Sequence, residues 1–321
     1  MWLLYVLKET MNKNIFRGAL TAVVVLCIST GAHARGSAET LLRVSNLRLS
    51  DSVGAAYTRA AFSALATSNA ASSILYTGTP EQQAGVGYYL PSLGNVDLPT
   101  LCQQPVRNDC ALVFSNYFQP FGLDGYGFGR GYDYLHADQR IKGDLIGNLP
   151  SALSIDTRGD AQIQYEDGYY GGVSSVNLQM KFKLASENRL TLSFDADAYS
   201  NVYGYSPDWY EREHMESQVK FEATLTNRTT GATVFSYAPD EINFGNDPEF
   251  GIVVKDPAAK WFSVTSALLN TSDEYVLSIT QVAGSYARIS AVPEPSGAAM
   301  LGAGIGLLAF LRRRSRTALA V

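Results

Sequence analysis

Apolar and polar residues alternate with a period of two through long stretches of the second half of this chain, the pattern of strands with one buried and one wet face. Val176, Leu178, Met180, Phe182 and Leu184 are separated by Asn177, Gln179, Lys181 and Lys183, and after a polar turn at 185–189 the pattern resumes in Leu190, Leu192, Phe194, Ala196 and Ala198. These two runs predict a hairpin. A second hairpin is predicted where Val219, Phe221, Ala223 and Leu225 lead into the turn 227–231 and then the strand 233–237. Further strands are predicted over 251–255, 261–265 and 275–282. The first half is less regular: 41–49 reads as an opening strand, 55–66 as a short Ala-rich helix packing Phe62 and Leu65, and 120–133 as a Gly- and Tyr-rich loop. Short strands between Gly, Asn and Asp turns predict a mainly β chain, an antiparallel, jelly-roll-like β-sandwich forming one domain over residues 35–291.

Two uncharged apolar runs bracket that body. Near the start, Lys13 and Arg17 precede the apolar segment 19–28, and Ala32-His33-Ala34 supplies the small-x-small pattern of a signal-peptide cleavage site. Residues 1–34 are therefore expected to be a signal peptide cut after Ala34, with Met11 an alternative start just before its basic residues. Near the end, Pro293-Glu294-Pro295 precedes the uncharged run 297–311, and Arg312, Arg313 and Arg314 follow. A helix over 297–311 spans roughly 22 Å at about 1.5 Å per residue, short of the roughly 30 Å hydrocarbon core. It is expected to cross the membrane by thinning the bilayer or letting the arginines snorkel. The arginines act as a cytoplasmic stop by the positive-inside rule, which leaves the body outside. Pro293 and Pro295 cannot continue a helix and keep the motif extended.

The tail over 292–316 resembles the PEP-CTERM sorting signal of Gram-negative bacteria, in which a Pro-Glu-Pro motif, a hydrophobic span and an Arg cluster are read by a membrane-embedded exosortase. The resemblance implies that Pro293, Glu294 and Pro295 are substrate residues for that transpeptidase. It further implies an exported, inner-membrane-anchored precursor that ends at the cell surface or in an extracellular biofilm matrix. Exosortase and signal peptidase would be its processing partners, and an extracellular polysaccharide a further one.

Of the three cysteines, Cys27 lies in the apolar leader, which leaves Cys102 and Cys110 in an exported body. A disulfide between them is expected; the rival, a metal site, lacks a nearby histidine pair. Removing both terminal segments leaves 18 basic against 28 acidic residues, a formal charge of −10. Such a body repels nucleic acid and anionic lipid.

Catalytic chemistry finds few carriers in the body. Only His136 and His214 remain, no Gly-x-Ser-x-Gly elbow is present, and Glu211, Glu213, His214 and Glu216 do not form His-Glu-x-x-His. The string from Glu241 to Gly245 has Asn243 where a laminarinase-type motif wants an acid. The body is therefore expected to be no enzyme and to need no cofactor, with a structural or adhesive role. Two binding alternatives stand beside it. Asp195 and Asp197 lie two apart on the polar face of one strand and could share a hard cation such as Ca2+. Tyr205, Trp209 and Tyr210 cluster beside Asp208, a combination suited to glycans; the bland reading makes both sets ordinary solvated or core residues.

Overall fold

Inward-facing apolar residues at every second position give two long-stranded sheets in a computed structural model that describes residues 35–78, 82–91, 94–103, 116–120, 134–163, 168–205, 212–248, 251–290 and 305. The strands are β1 (Arg35–Ser50), β2 (Phe62–Thr77), β3 (Gln82–Leu90), β4 (Val96–Asp97), β5 (Leu101–Gln103), β6 (Tyr134–Gly143), β7 (Leu153–Ile163) and β8 (Gly168–Leu184). There follow β9 (Thr191–Tyr205), β10 (Arg212–Asn227), β11 (Thr233–Tyr237), β12 (Phe244–Asn246), β13 (Gly251–Lys255), β14 (Lys260–Thr265) and β15 (Tyr275–Ser290). The first sheet has the order β13-β9-β1-β7-β6-β4, with β14 also on β9 and β5 on β6. The second has the order β11-β10-β15-β8-β2-β3, with β12 on β10. Every pairing between these strands is antiparallel.

The strands predicted over 251–255 and 261–265 correspond to β13 and β14, those over 41–49 and 275–282 lie inside longer strands, and the 227–231 turn joins β10 and β11 in the expected hairpin. Two expectations need correction. The runs 176–184 and 190–198 are not a hairpin: β8 pairs with β2 and β15, whereas β9 pairs with β1, β13 and β14 in the other sheet. The 185–189 segment carries the chain across the sandwich, so the two apolar faces meet each other in one core instead of lying side by side. Periodicity defines a strand's face but not its neighbour. The helix expected over 55–66 is absent as well. Its place is taken by a 3-10 turn at Arg59–Ala61 and the start of β2, whose backbone is paired with β8 from Phe62 to Tyr76. Alanine propensity over so few residues is weak, and tertiary pairing overrides it. The loop 121–133 and the 297–311 span lie outside the described residues, apart from Ile305; among the described residues no helix is long and apolar enough to cross a membrane.

The interior is not uniformly apolar. A large cluster containing Leu42, Phe182, Phe194 and Phe221 fills one part, and a smaller one containing Ala38, Leu75, Ile163, Val202 and Met215 fills another. Between them runs a belt of small and polar residues where the sheets close on one another. Thr40, Gly159 and Ser200 supply it from the first sheet, and Gly172, Ser174, Ser217 and Ser285 from the second. The Ser285 and Thr40 hydroxyls donate to the Gly159 carbonyl at 2.7 and 2.9 Å, and the Ser174 hydroxyl donates to the Arg158 carbonyl at 2.7 Å. Nearby, the Gln281 amide donates to the Leu42 carbonyl at 2.7 Å and to the Thr157 hydroxyl at 3.0 Å. Sandwich sheets ordinarily stand about 10 Å apart. Here a Cβ placed on Gly159 would fall 2.2 Å from the Gly172 carbonyl oxygen, and one on Gly172 would fall 2.0 Å from that of His136.

A methyl group at this belt must therefore push backbone against backbone. Gly172→Ala is expected to destabilise the protein by at least about 1–3 kcal/mol, the usual cost of overpacking. Gly87→Ala, whose new Cβ meets nothing nearer than the Ala71 carbonyl at 3.8 Å, serves as the near-neutral control. Chemical denaturation midpoints of the two variants check this.

Candidate functional site

On the face of the first sheet turned away from the core, antiparallel register sets charged residues in rows across the strands. One row reads Asn201, Glu39, Asp160, His136 and Cys102; the next Tyr199, Leu41, Arg158 and Asp138; the third Asp197, Arg43, Asp156, Arg140 and Asp97. Alternation alone would leave all of these in water. Instead, apart from the half-buried Cys102, the first two rows are buried, and the 116–120 segment lies over the second.

Arg158 is the hub of the buried part. Its Nε donates to Asp160 Oδ2 at 2.6 Å, one terminal nitrogen donates to Glu39 Oε1 at 2.7 Å, and the other donates to the carbonyls of Tyr117 and Gln119 at 2.9 and 2.8 Å. His136 Nδ1 sits 2.8 Å from Asp160 Oδ2. The strap is also held by Asn116, whose backbone N–H donates to Asp138 at 2.6 Å, and by Phe118, buried against Leu41 and Tyr199 with the Arg140 guanidinium 5.1 Å from its ring centre. Burial by itself would raise the Asp160 carboxyl, but the Arg158 charge and the His136 bond overcome it and hold the group below the usual carboxylate range. At Asp138 burial outweighs the His136 charge and the hydrogen bonds from Asn116 and Thr100, and the pKa is raised. Burial, with help from Glu39 and Asp256, pushes the Tyr199 phenol up to about 12.

Beyond the strap the same face opens. A depression of about 440 Å3 is lined by Arg43, Ser45, Arg140, Lys142, Ser154, Asp156, Asp195 and Asp197 on β1, β6, β7 and β9, with Ala259 at its side. Its floor is two ion pairs, Arg43 with Asp197 and Arg140 with Asp156, the latter at 2.7 Å. A second hollow of about 230 Å3 shares Arg43 and Asp197 and continues to Tyr199, Pro120 and Asp256. Trp261 on β14 is 58 % exposed and pairs across the strand with Asp195, which directs its indole to the same face.

The predicted pair Asp195 and Asp197 thus shares one face, and the depression gathers both. They do not turn toward a common centre: Asp197 engages Arg43, and Asp195 accepts from the Asn46 amide at 2.7 Å. Among the described residues no group of three His, Cys, Asp or Glu side chains could hold a metal ion. Tyr205 ends β9, and its side chain, Trp209 and Tyr210 lie outside the described residues, as do Cys110, Pro293, Glu294, Pro295, Arg312, Arg313, Arg314 and Ala34. Cys102, on β5 beside His136, is disulfide-bonded. His214 is exposed on the outer face of β10 with Asp247 3.1 Å away, and Glu241 pairs with Lys260. Elsewhere, Tyr170 is buried in the smaller core, and Tyr169 stacks on Tyr286 with ring centres 5.7 Å apart.

Arg158, Asp160, Glu39 and Asp138 were not among the expected site residues. The one available signal was the β7 segment, where Asp156, Arg158 and Asp160 alternate with Ile155, Thr157 and Gly159. Comparison of the chain with protein-family models, with curated proteins and with solved structures returned no match.

Removing Arg158 strands two buried carboxylates, so Arg158→Leu is expected to cost about 3–5 kcal/mol. The two aspartates respond oppositely to pH. Asp160, depressed in the folded state, stabilises above the ordinary carboxylate pKa and loses that contribution as pH falls through its folded value. Asp138, raised in the folded state, weakens the fold at neutral pH and stops doing so once protonated. Asp138→Asn is therefore expected to be at least as stable as wild type at pH 7, with its advantage vanishing below the ordinary carboxylate range; urea midpoints of wild type, Asp138→Asn and Asp160→Asn from about pH 7 down to about pH 2 check both signs.

Proposed function

We propose that this chain is an exported surface protein, sorted through its C-terminal Pro293-Glu294-Pro295 signal and cut there by an exosortase. Its sandwich then serves a non-catalytic, structural or adhesive role at the cell surface or in an extracellular biofilm matrix. The observation that carries the reading is the complete three-part tail over 292–316, with the apolar leader and the Ala34 cleavage pattern at the other end. In this reading the 297–311 helix anchors the precursor in the inner membrane, and signal peptidase is the second processing partner. Cys102 pairs with Cys110, consistent with the oxidising compartment that export supplies. We read the sandwich as jelly-roll-like, supported by repeated crossings between the sheets, as from β7 to β8 and from β8 to β9.

A non-catalytic body is supported by the state of its carboxylates. Asp156 and Asp197 are tied to arginines instead of being held as an acid and a base across a cleft, the arrangement glycoside hydrolysis requires. The second reading, a carbohydrate- or calcium-binding surface module, draws support on the carbohydrate side from the open depression and the exposed Trp261.

Intact-mass measurement of the mature protein from its native host tests the sorting. The expected product begins at Arg35 and ends near Pro293, and Pro293→Ala and Glu294→Ala each leave the tail attached. A wild-type mass that still ends at Val321 would overturn the proposal.

A further inference from the structure

We propose that the depression and its neighbouring hollow form one saccharide-binding groove for a neutral, hydroxyl-rich polysaccharide chain, with Trp261 as its stacking platform. This rests on the reading of the chain as an exported surface protein and gives its carbohydrate alternative a location and a ligand class.

The shape favours a polymer. The two hollows meet at Arg43 and Asp197, so the groove crosses the sheet from Arg140 and Lys142 on β6 to β9 and continues past Arg43 toward Tyr199 and Asp256. The larger hollow alone, about 440 Å3, falls within the roughly 300–1,000 Å3 usual for small-molecule sites. Along its flank the edge strand β14 holds Trp261, exposed and facing outward opposite the lining residue Asp195. A sugar ring has an apolar face edged by hydroxyls, and a polar trough beside an exposed indole matches both surfaces.

The charges favour a neutral ligand. Arg43, Arg140 and Lys142 stand against Asp156, Asp195 and Asp197, so the larger hollow has no net charge with which to select an ion. What it offers is a dense set of donors and acceptors. A carboxylate holding one guanidinium still has lone pairs to accept hydroxyl protons, and Lys142 brings three donors. The Arg43–Asp197 and Arg140–Asp156 pairs lock these groups before a ligand arrives, which lowers the ordering cost of binding.

Affinity electrophoresis and calorimetry on the mature protein from its native host test the groove, with a neutral β-glucan, a polyuronate and calcium chloride as separate probes. The expected result is saturable binding of the neutral glucan, weakened about tenfold or more by Trp261→Ala, as for loss of an aromatic anchor. Tyr89→Ala, which removes an exposed tyrosine from the other sheet, should leave binding unchanged. Binding that survives Trp261→Ala, binding of the polyuronate alone, heat with calcium alone, or no binding to any probe would each overturn the groove. Intact mass on the same preparations keeps the readings apart: a processed protein that fails to bind sinks the groove and leaves the sorting, whereas a protein that binds but carries its tail sinks the sorting.

Discussion

The tripeptide Arg158-Gly159-Asp160 is where the two sides of the first sheet are fastened at once. Strand alternation sends Gly159 inward and its neighbours outward. Inward, the missing side chain lets the backbone of β7 approach that of β8 and β15 so closely that no other residue type fits without displacement. Outward, Arg158 and Asp160 bind Glu39, His136 and the carbonyls of Tyr117 and Gln119, which holds the 116–120 strap on the sheet. Gly159 thus sets the closure of the sandwich, and its two neighbours the covering of the outer face, within three consecutive residues.

The serine and threonine belt follows from that closure. Where backbones come this near there is no room for leucine, and the carbonyls facing across the gap need donors that only short side chains can deliver. Ser174, Ser285 and Thr40 supply them, while Gln281 reaches further along the same interface. Larger side chains are displaced to either end, producing two apolar cores instead of one. The close contact also pins the relative position of the sheets, so the rows on the outer face stand on a floor with little freedom to slide.

Much of the strand content was legible because one face of each later strand is plainly apolar. Val176 to Leu184 and Leu190 to Ala198 could be read as strands from residue type alone. Their partners could not, since a five-residue turn serves equally to reverse within a sheet or to cross between two. The candidate site was legible only at Asp195 and Asp197, visible as a polar pair on an amphipathic strand. Arg158 and Asp160 have the same pattern, outward and charged, and nothing local marks them as buried. The Arg158 guanidinium is capped by a strap about 40 residues earlier in the chain, a long-range fact that periodicity does not carry.

Charge on the outer face of the first sheet therefore has two roles, and the edge of the strap decides between them. Under it, Glu39, Arg158 and Asp160 have no exposed side-chain surface; their desolvation must be offset by close ion pairing, and each guanidinium nitrogen of Arg158 is engaged. One row away, Arg43 and Asp197 are each about a third exposed, and water is still a competitor for every bond they make. Such a pair contributes little to stability, but it gives up little when a hydroxyl replaces the water. Identical residue types therefore hold the fold together where they are covered and remain available to a ligand where they are not.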